Sequence, residues 1–138
     1  MSQQEREIIM KGFLEKFRFP GIIGCIDGIH VALIQPIDHE EAYFNRKTCH
    51  SLNVLIICDS NLNILHVDAS FGGASQDSYV WNQCHLKAHL ERLARIRECC
   101  WLLGDSRYAQ RPWMMTLGAA SGSPEEHYTE LHCKVRKC

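Results

Sequence analysis

Two apolar runs, each joined to a Gly–Asp or Asp–Gly pair, constrain this chain more than any other feature of its sequence. The first, Ile22 to Ile34, is rich in β-branched residues and carries Asp27 and Gly28 in its middle; the second, Cys99-Cys100-Trp101-Leu102-Leu103, runs directly into Gly104-Asp105-Ser106. Apolar runs of this length bounded by Pro and Gly read as strands. An ionised carboxylate in such a strand is costly unless a metal ion, a base or several donors compensate it. The expectation is a sheet that brings two buried aspartates, distant along the chain, onto neighbouring strands. Each Asp capping its own turn is the plain alternative. Gly28 and Gly104 lack a Cβ and so let a ligand or another backbone come close beside each acid.

The rest of the chain supplies the other elements of such a sheet. Glu5 to Phe19 places Ile8, Ile9, Phe13, Leu14 and Phe17 at helical spacing with charges between them, ended by Pro20-Gly21. Ser51 to Asp59 and Ile64 to Ala69 are apolar runs separated by Ser60-Asn61-Leu62-Asn63, which predicts an antiparallel hairpin. Ser75 to Arg97 reads as a helix or a broken pair, with Ser75 or Asp77 available as N-cap. Pro112-Trp113-Met114-Met115 looks like one packed turn, Gly118 to Pro124 like a flexible loop, and Glu125 begins a last helix. Antiparallel strands first and helical crossovers later make a mixed α/β order.

Composition narrows the function classes. The 138 residues, 46% apolar and 22% charged, fit one folded domain or part of one, not a disordered or fibrous chain. A net charge of -1 lacks the overall basic excess of many nucleic-acid binders, so contact with DNA has to come from local patches. Asn45, Arg46, Lys47 and His50 form one such patch, and Lys134, Arg136 and Lys137 another. No apolar stretch is long enough to span a bilayer, and the polar N-terminus is unlike a signal peptide, which predicts neither membrane nor export. Eight cysteines without a Cys-x-x-Cys pair are expected to be reduced thiols. His85 with His89, or His132 with Cys133, is too few ligands for a zinc site. Trp81, Trp101 and Trp113 read as core residues, and His30 as a packing or hydrogen-bonding residue facing away from Asp27.

Four segments together resemble the PIF/Harbinger transposase-derived nuclease family. They are Gly24-Cys25-Ile26-Asp27-Gly28-Ile29-His30-Val31, Tyr43 to Val54, Gly73-Ala74-Ser75-Gln76-Asp77-Ser78-Tyr79-Val80-Trp81, and Leu102 to Trp113 with its Gly104-Asp105-Ser106 core. The resemblance implies a ribonuclease-H-like α/β fold with a mixed sheet flanked by helices. It also implies a DDE nuclease that cuts DNA phosphodiester bonds with divalent metal ions, Mg²⁺ or Mn²⁺. Asp27 is then the first metal-binding catalytic carboxylate and Asp105 the second. DNA is the implied partner, a separate Myb-like protein the implied DNA reader, and the nucleus the implied place of action.

The third acid of that family is a Glu following a Tyr-Asn-x-x-His-x-x-x-Arg pattern, which stands here as Tyr128 to Arg136. It would fall just beyond Cys138, and Glu130 is in the wrong register to replace it. The expectation is an N-terminal helix over 1–19 followed by a C-terminally truncated DDE domain over 20–138, partial or impaired as a nuclease. An inactive, domesticated DNA- or protein-binding module is the alternative. Three departures bear on activity: Ile29 replaces the usual Thr, Thr116-Leu117 replaces Thr-Pro, and Arg107 replaces the usual Gly. At Arg107 a Cβ costs about 1 kcal/mol if the turn needs positive φ, and a guanidinium beside Asp105 competes for the metal's carboxylate. An esterase built on Ser106 is disfavoured because its Asp-x-x-His, Asp27 to His30, precedes the Ser instead of following it. A dinucleotide-binding fold is disfavoured because Gly21-Ile22-Ile23-Gly24 lacks the Gly-x-Gly-x-x-Gly turn.

Overall fold

Five strands form one mixed sheet in the order β3-β2-β1-β4-β5, as seen in a computed structural model that describes residues 1–116. The strands are β1 (Ile22–Ala32), β2 (Ser51–Cys58), β3 (Ile64–Gly72), β4 (Trp101–Gly104) and β5 (Met114–Thr116). β1 pairs antiparallel with β2 and parallel with β4, β2 pairs antiparallel with β3, and β4 pairs parallel with β5. β2 is thus the one strand running against the others. The readings of the C-terminal loop, the helix from Glu125, Glu130 and the His132-Cys133 pair lie outside the described residues.

Helices cover both faces. Helix α1 (Gln3–Phe17) begins with a capping box, in which Ser2 Oγ accepts from the Glu5 amide and the Glu5 carboxylate accepts from the Ser2 amide. It ends where Arg18 turns left-handed, before the Pro20-Gly21 stop. Phe13 of α1 joins Phe19, Ile22 and Leu103 in one apolar cluster, and Arg6 is buried against Glu98 at 2.6 Å. On the other face the predicted break appears as α3 (Asp77–Gln83) and α4 (His85–Arg95), separated at Cys84. Val80, Trp81, Leu90 and Leu93 of this pair pack on Ile26, Leu55, Ile57 and Leu102 of the sheet. Burial of such side chains contributes roughly 1.5–3 kcal/mol each before entropy is counted.

Three sequence expectations need correction here. The run from Pro112 is not one packed turn, because Met114, Met115 and Thr116 extend the sheet beside Leu102, Leu103 and Gly104. A short helix, α2 (Glu40–Tyr43), lies where no element was read. The apolar run of the first strand stops pairing at Ala32, so Leu33 and Ile34 lie beyond it. The six cysteines among the described residues are free thiols, as expected.

Candidate functional site

The register of the two parallel central strands places the acids. Cys25 of β1 stands beside Leu103 of β4, and two positions further lie Asp27, still within β1, and Asp105, just past the end of β4, near enough to share one guanidinium. β4 stops at Gly104 while β1 continues with only β2 as neighbour. A crevice therefore opens at the carboxyl ends of parallel strands, where α/β sheets place their ligands. The same geometry corrects the expected burial of Asp27. Its side chain is 52% exposed, because no strand flanks it on the β4 side, whereas Asp105 is 15% exposed.

Among the described residues, the Arg107 side chain spans this crevice. The Arg107 guanidinium meets Asp105 Oδ2 through Nε and Nη2, both at 2.7 Å, and Asp27 Oδ1 through Nη2 at 3.3 Å. Its Nη1 lies 2.6 Å from Asp77 Oδ2, an ion pair without the geometry of a directed hydrogen bond. The two carboxylates of Asp27 and Asp105 thus share one nitrogen, which puts their oxygens no more than about 6 Å apart, within reach of a two-metal cluster with ions ~4 Å apart. The Asp105 hydrogen bond, with the surrounding carboxylates, holds the guanidinium charged even more firmly than usual, against the opposing effect of burial. Arg107 does not adopt positive φ, so the expected backbone cost is absent and its effect is electrostatic.

The plain turn reading of Asp105 also holds, on its other oxygen. Asp105 Oδ1 accepts from the Arg107 amide at 2.9 Å, closing an Asx-type turn, while Oδ2 faces the guanidinium. Asp27 Oδ1 likewise accepts from the Gly28 amide at 3.0 Å.

Asp77 reaches the site from the opposite face of the sheet, which overturns the helix-cap reading. Gln76 occupies the N-cap position of α3 and makes no side-chain cap bond, and the Asp77 side chain is only 4% exposed. Its Oδ1 accepts from Asn53 Nδ2 of β2 at 2.9 Å, and the same amide donates to the Ser75 carbonyl at 2.8 Å. The residue that comes close to Gly28 is Asp77, whose carboxyl occupies the space a Cβ would fill. The Gly73 to Trp81 segment was the sequence signal for Asp77, and Asn53 lies in the Tyr43 to Val54 segment without having been singled out.

A cavity of about 590 Å³ adjoins Asp77 and Arg107 and is walled on its far side by Phe44, Asn45, Arg46 and Lys47. The loop holding the two cations is folded on Asn45, whose Oδ1 accepts from the amides of Lys47 and Cys49 at 2.9 and 3.2 Å. Asn45 Nδ2 donates to Ser51 Oγ at 2.9 Å, and His30 Nδ1 lies 3.0 Å from the same hydroxyl. His30 therefore hydrogen-bonds, as one of its two sequence readings expects, but it is exposed and lines the cavity instead of packing in the core. Beneath Asp105, burial and then the three aspartates push the Tyr108 phenol well above its ordinary value, so it stays protonated in the range where proteins work.

The residues present do not fit a bound divalent metal as they are arranged. Carboxylate oxygens are the right donors for Mg²⁺ or Mn²⁺. Arg107 Nη2, 3.3 Å from Asp27 Oδ1 and 2.7 Å from Asp105 Oδ2, however, fills the space between the two carboxylates that a shared metal ion would use. Among the described residues no group of three or more His, Cys, Asp or Glu is placed to hold a metal ion. Among them, too, no helix is long and apolar enough to cross a membrane.

A strand order of 3-2-1-4-5 with the second strand reversed, helices on both faces and acids on β1 and at the end of its parallel neighbour β4 defines a ribonuclease-H-like α/β domain. Comparison with known proteins places it further. The family model described as DDE superfamily endonuclease matches residues 26–137, and the chain belongs to that family. Curated relatives named "Putative nuclease HARBI1" are 39% identical in Bos taurus, 38% in Homo sapiens and 32% in Xenopus laevis, each over 114 residues, 82% of this chain. These matches agree with a Harbinger-derived nuclease lineage. The chain spans about a third, 32%, of the length of these relatives. No solved structure matches it.

Proposed function

We propose that this chain carries the catalytic core of a transposase-derived, divalent-metal-dependent endonuclease acting on DNA phosphodiester bonds, in an impaired form. The observation that supports it is the placement of Asp27, on β1, beside Asp105, just past the end of the parallel strand β4, with Arg107 lodged between them. In this reading Asp27 and Asp105 are the metal-binding catalytic carboxylates of the lineage. Arg107, where the family usually has Gly, is the source of impairment. Asp77 and Asn53 are positioning residues, since they act on Arg107 and the strand ends. Arg46 and Lys47 face the same cavity and suit contact with DNA phosphates, a sequence-independent interaction that weakens with salt. The DNA target is read by a separate Myb-like partner, and the nucleus is the place of action.

The cavity favours the second reading, a domesticated module that binds DNA without cutting it, because two of its cations, Arg46 and Lys47, do not depend on the carboxylate pair. Plasmid nicking in Mn²⁺ separates the two. The nuclease reading expects weak nicking by the natural chain, more by Arg107→Gly, and none by Asp27→Ala or Asp105→Ala. Equal nicking by all four proteins excludes the assignment; binding without nicking in all four supports the module.

A further inference from the structure

We infer that Arg107 is the resident cation of the carboxylate site and that a divalent metal ion and this guanidinium are mutually exclusive occupants of it. The inference rests on the reading of Asp27 and Asp105 as the metal carboxylates and adds how the site is controlled.

Three carboxylates bound one small space, one from the middle of β1, one just past the end of β4 and one from the start of α3. Like charges so placed disfavour one another's ionisation unless a cation stands among them. Among the described residues the cation that stands there is Arg107, covalently part of the chain. A guanidinium offers five N–H donors in a planar fork, and here the fork is shared out by position: Nε and Nη2 to Asp105, Nη2 also to Asp27, and Nη1 to Asp77. A lysine ammonium, a single point charge, could not reach all three elements at once.

The arginine is held from both sides. Asp105 fixes its backbone through the turn amide and its head through Oδ2, so the side chain folds back over its own loop. Asp77 is buried beneath it, and Asn53 fixes that carboxyl through Oδ1, leaving Oδ2 directed at Nη1. Gly28 provides the room that lets the Asp77 carboxyl lie against β1. The Arg107 side chain is 55% exposed and has open solvent on its outer side, so it is able to swing out without unfolding the sheet. Metal entry thus requires breaking these ion pairs, and metal affinity is lowered by their cost. The contact is a built-in competitive block, released by a high concentration of divalent ion or by a ligand that draws the arginine into the neighbouring cavity.

Direct Mn²⁺ binding, followed as loss of the free-ion paramagnetic resonance signal, tests this without reference to cleavage. The proteins are the full chain, Arg107→Gln, Arg107→Lys and the double variant Arg107→Gln/Asp105→Asn. The expected result is Mn²⁺ affinity at least about tenfold tighter in Arg107→Gln than in the natural chain, equivalent to ~1.4 kcal/mol, with Arg107→Lys between them and the gain lost in the double variant. Equal affinity in the natural chain and Arg107→Gln overturns the inference and leaves the carboxylate reading standing. No Mn²⁺ binding in any of the proteins, or a gain that survives Asp105→Asn, overturns the carboxylate reading itself. If Arg107→Gln does not fold, Arg107→Lys carries the test: a rise in affinity supports competition, and no rise refutes it.

Discussion

Asp59 and Asp105 each follow the last residue of a strand, and the two turns they begin put the same side chain to different use. Asp59, after β2, accepts from the amides of Asn61 and Asn63 at 2.8 and 2.9 Å and from Asn63 Nδ2 at 2.9 Å. Those bonds stay inside the hairpin. Asp105, after β4, satisfies its own turn with one oxygen and gives the other to an arginine that also touches Asp27 and Asp77. An aspartate at a strand end is thus ordinary turn chemistry. It becomes part of a site when its second oxygen meets a group that ties separate elements together.

Substitutions on the Asp105 side are expected to reach furthest. Gly28→Ala drives a Cβ into the Asp77 carboxyl, which is backed by the buried Asn53. Overpacking of this kind costs about 1–3 kcal/mol, so the denaturation midpoint falls, and the displaced Asp77 changes the Arg107 contacts as well. An unchanged midpoint would show that Asp77 is free to move. Asp59→Ala is expected to cost less, about 1 kcal/mol for lost turn hydrogen bonds, and to leave Mn²⁺ binding at the other end of the sheet as it was. A change in metal binding would break the contrast between the two turns.

The smallest expected effect is one of pH. Burial raises the Asp59 carboxyl, but the hydrogen bonds from Asn63 and Asn61 and the charge of Lys16 outweigh it and hold it below its ordinary 3.8. A depressed folded value means the stabilisation is present above 3.8 and is lost as pH falls through the lower, folded value. Replacing Asp59 with Asn is therefore expected to flatten the stability profile between 3.8 and that lower folded value. Acid-unfolding curves of equal slope for the two proteins would contradict it.

Much of the sheet was legible because its signals are local. The β-branched runs of β1 and β2, the Asn-rich turn after Asp59 and the apolar stripe of α4 each announce their element within a few residues. β5 was not legible: three residues after Trp113 have no periodicity to read, and they become a strand only because Leu102 to Gly104 lie alongside. Asp27 was found, but its exposure was not, since that depends on where β4 ends, not on β1. Arg107 was singled out as a competitor for Asp105, and its reach to Asp27 and Asp77 depended on parallel register and on the packing of α3. Asn53 was not singled out within the Tyr43 to Val54 segment; its role appears only once Asp77 is packed against it.

A double-mutant cycle on thermal or denaturant unfolding, with Arg107→Gln, Asp77→Asn and the double variant, tests most directly whether Arg107 and the aspartates form one coupled cluster. Groups in direct contact couple by more than about 0.5 kcal/mol, whereas independent groups add. The account predicts that the double variant is more stable than the sum of the single losses implies, because removing the second partner costs little once the first is gone. Strictly additive losses would contradict it, and would mean that the guanidinium lies near the carboxylates without being held by them.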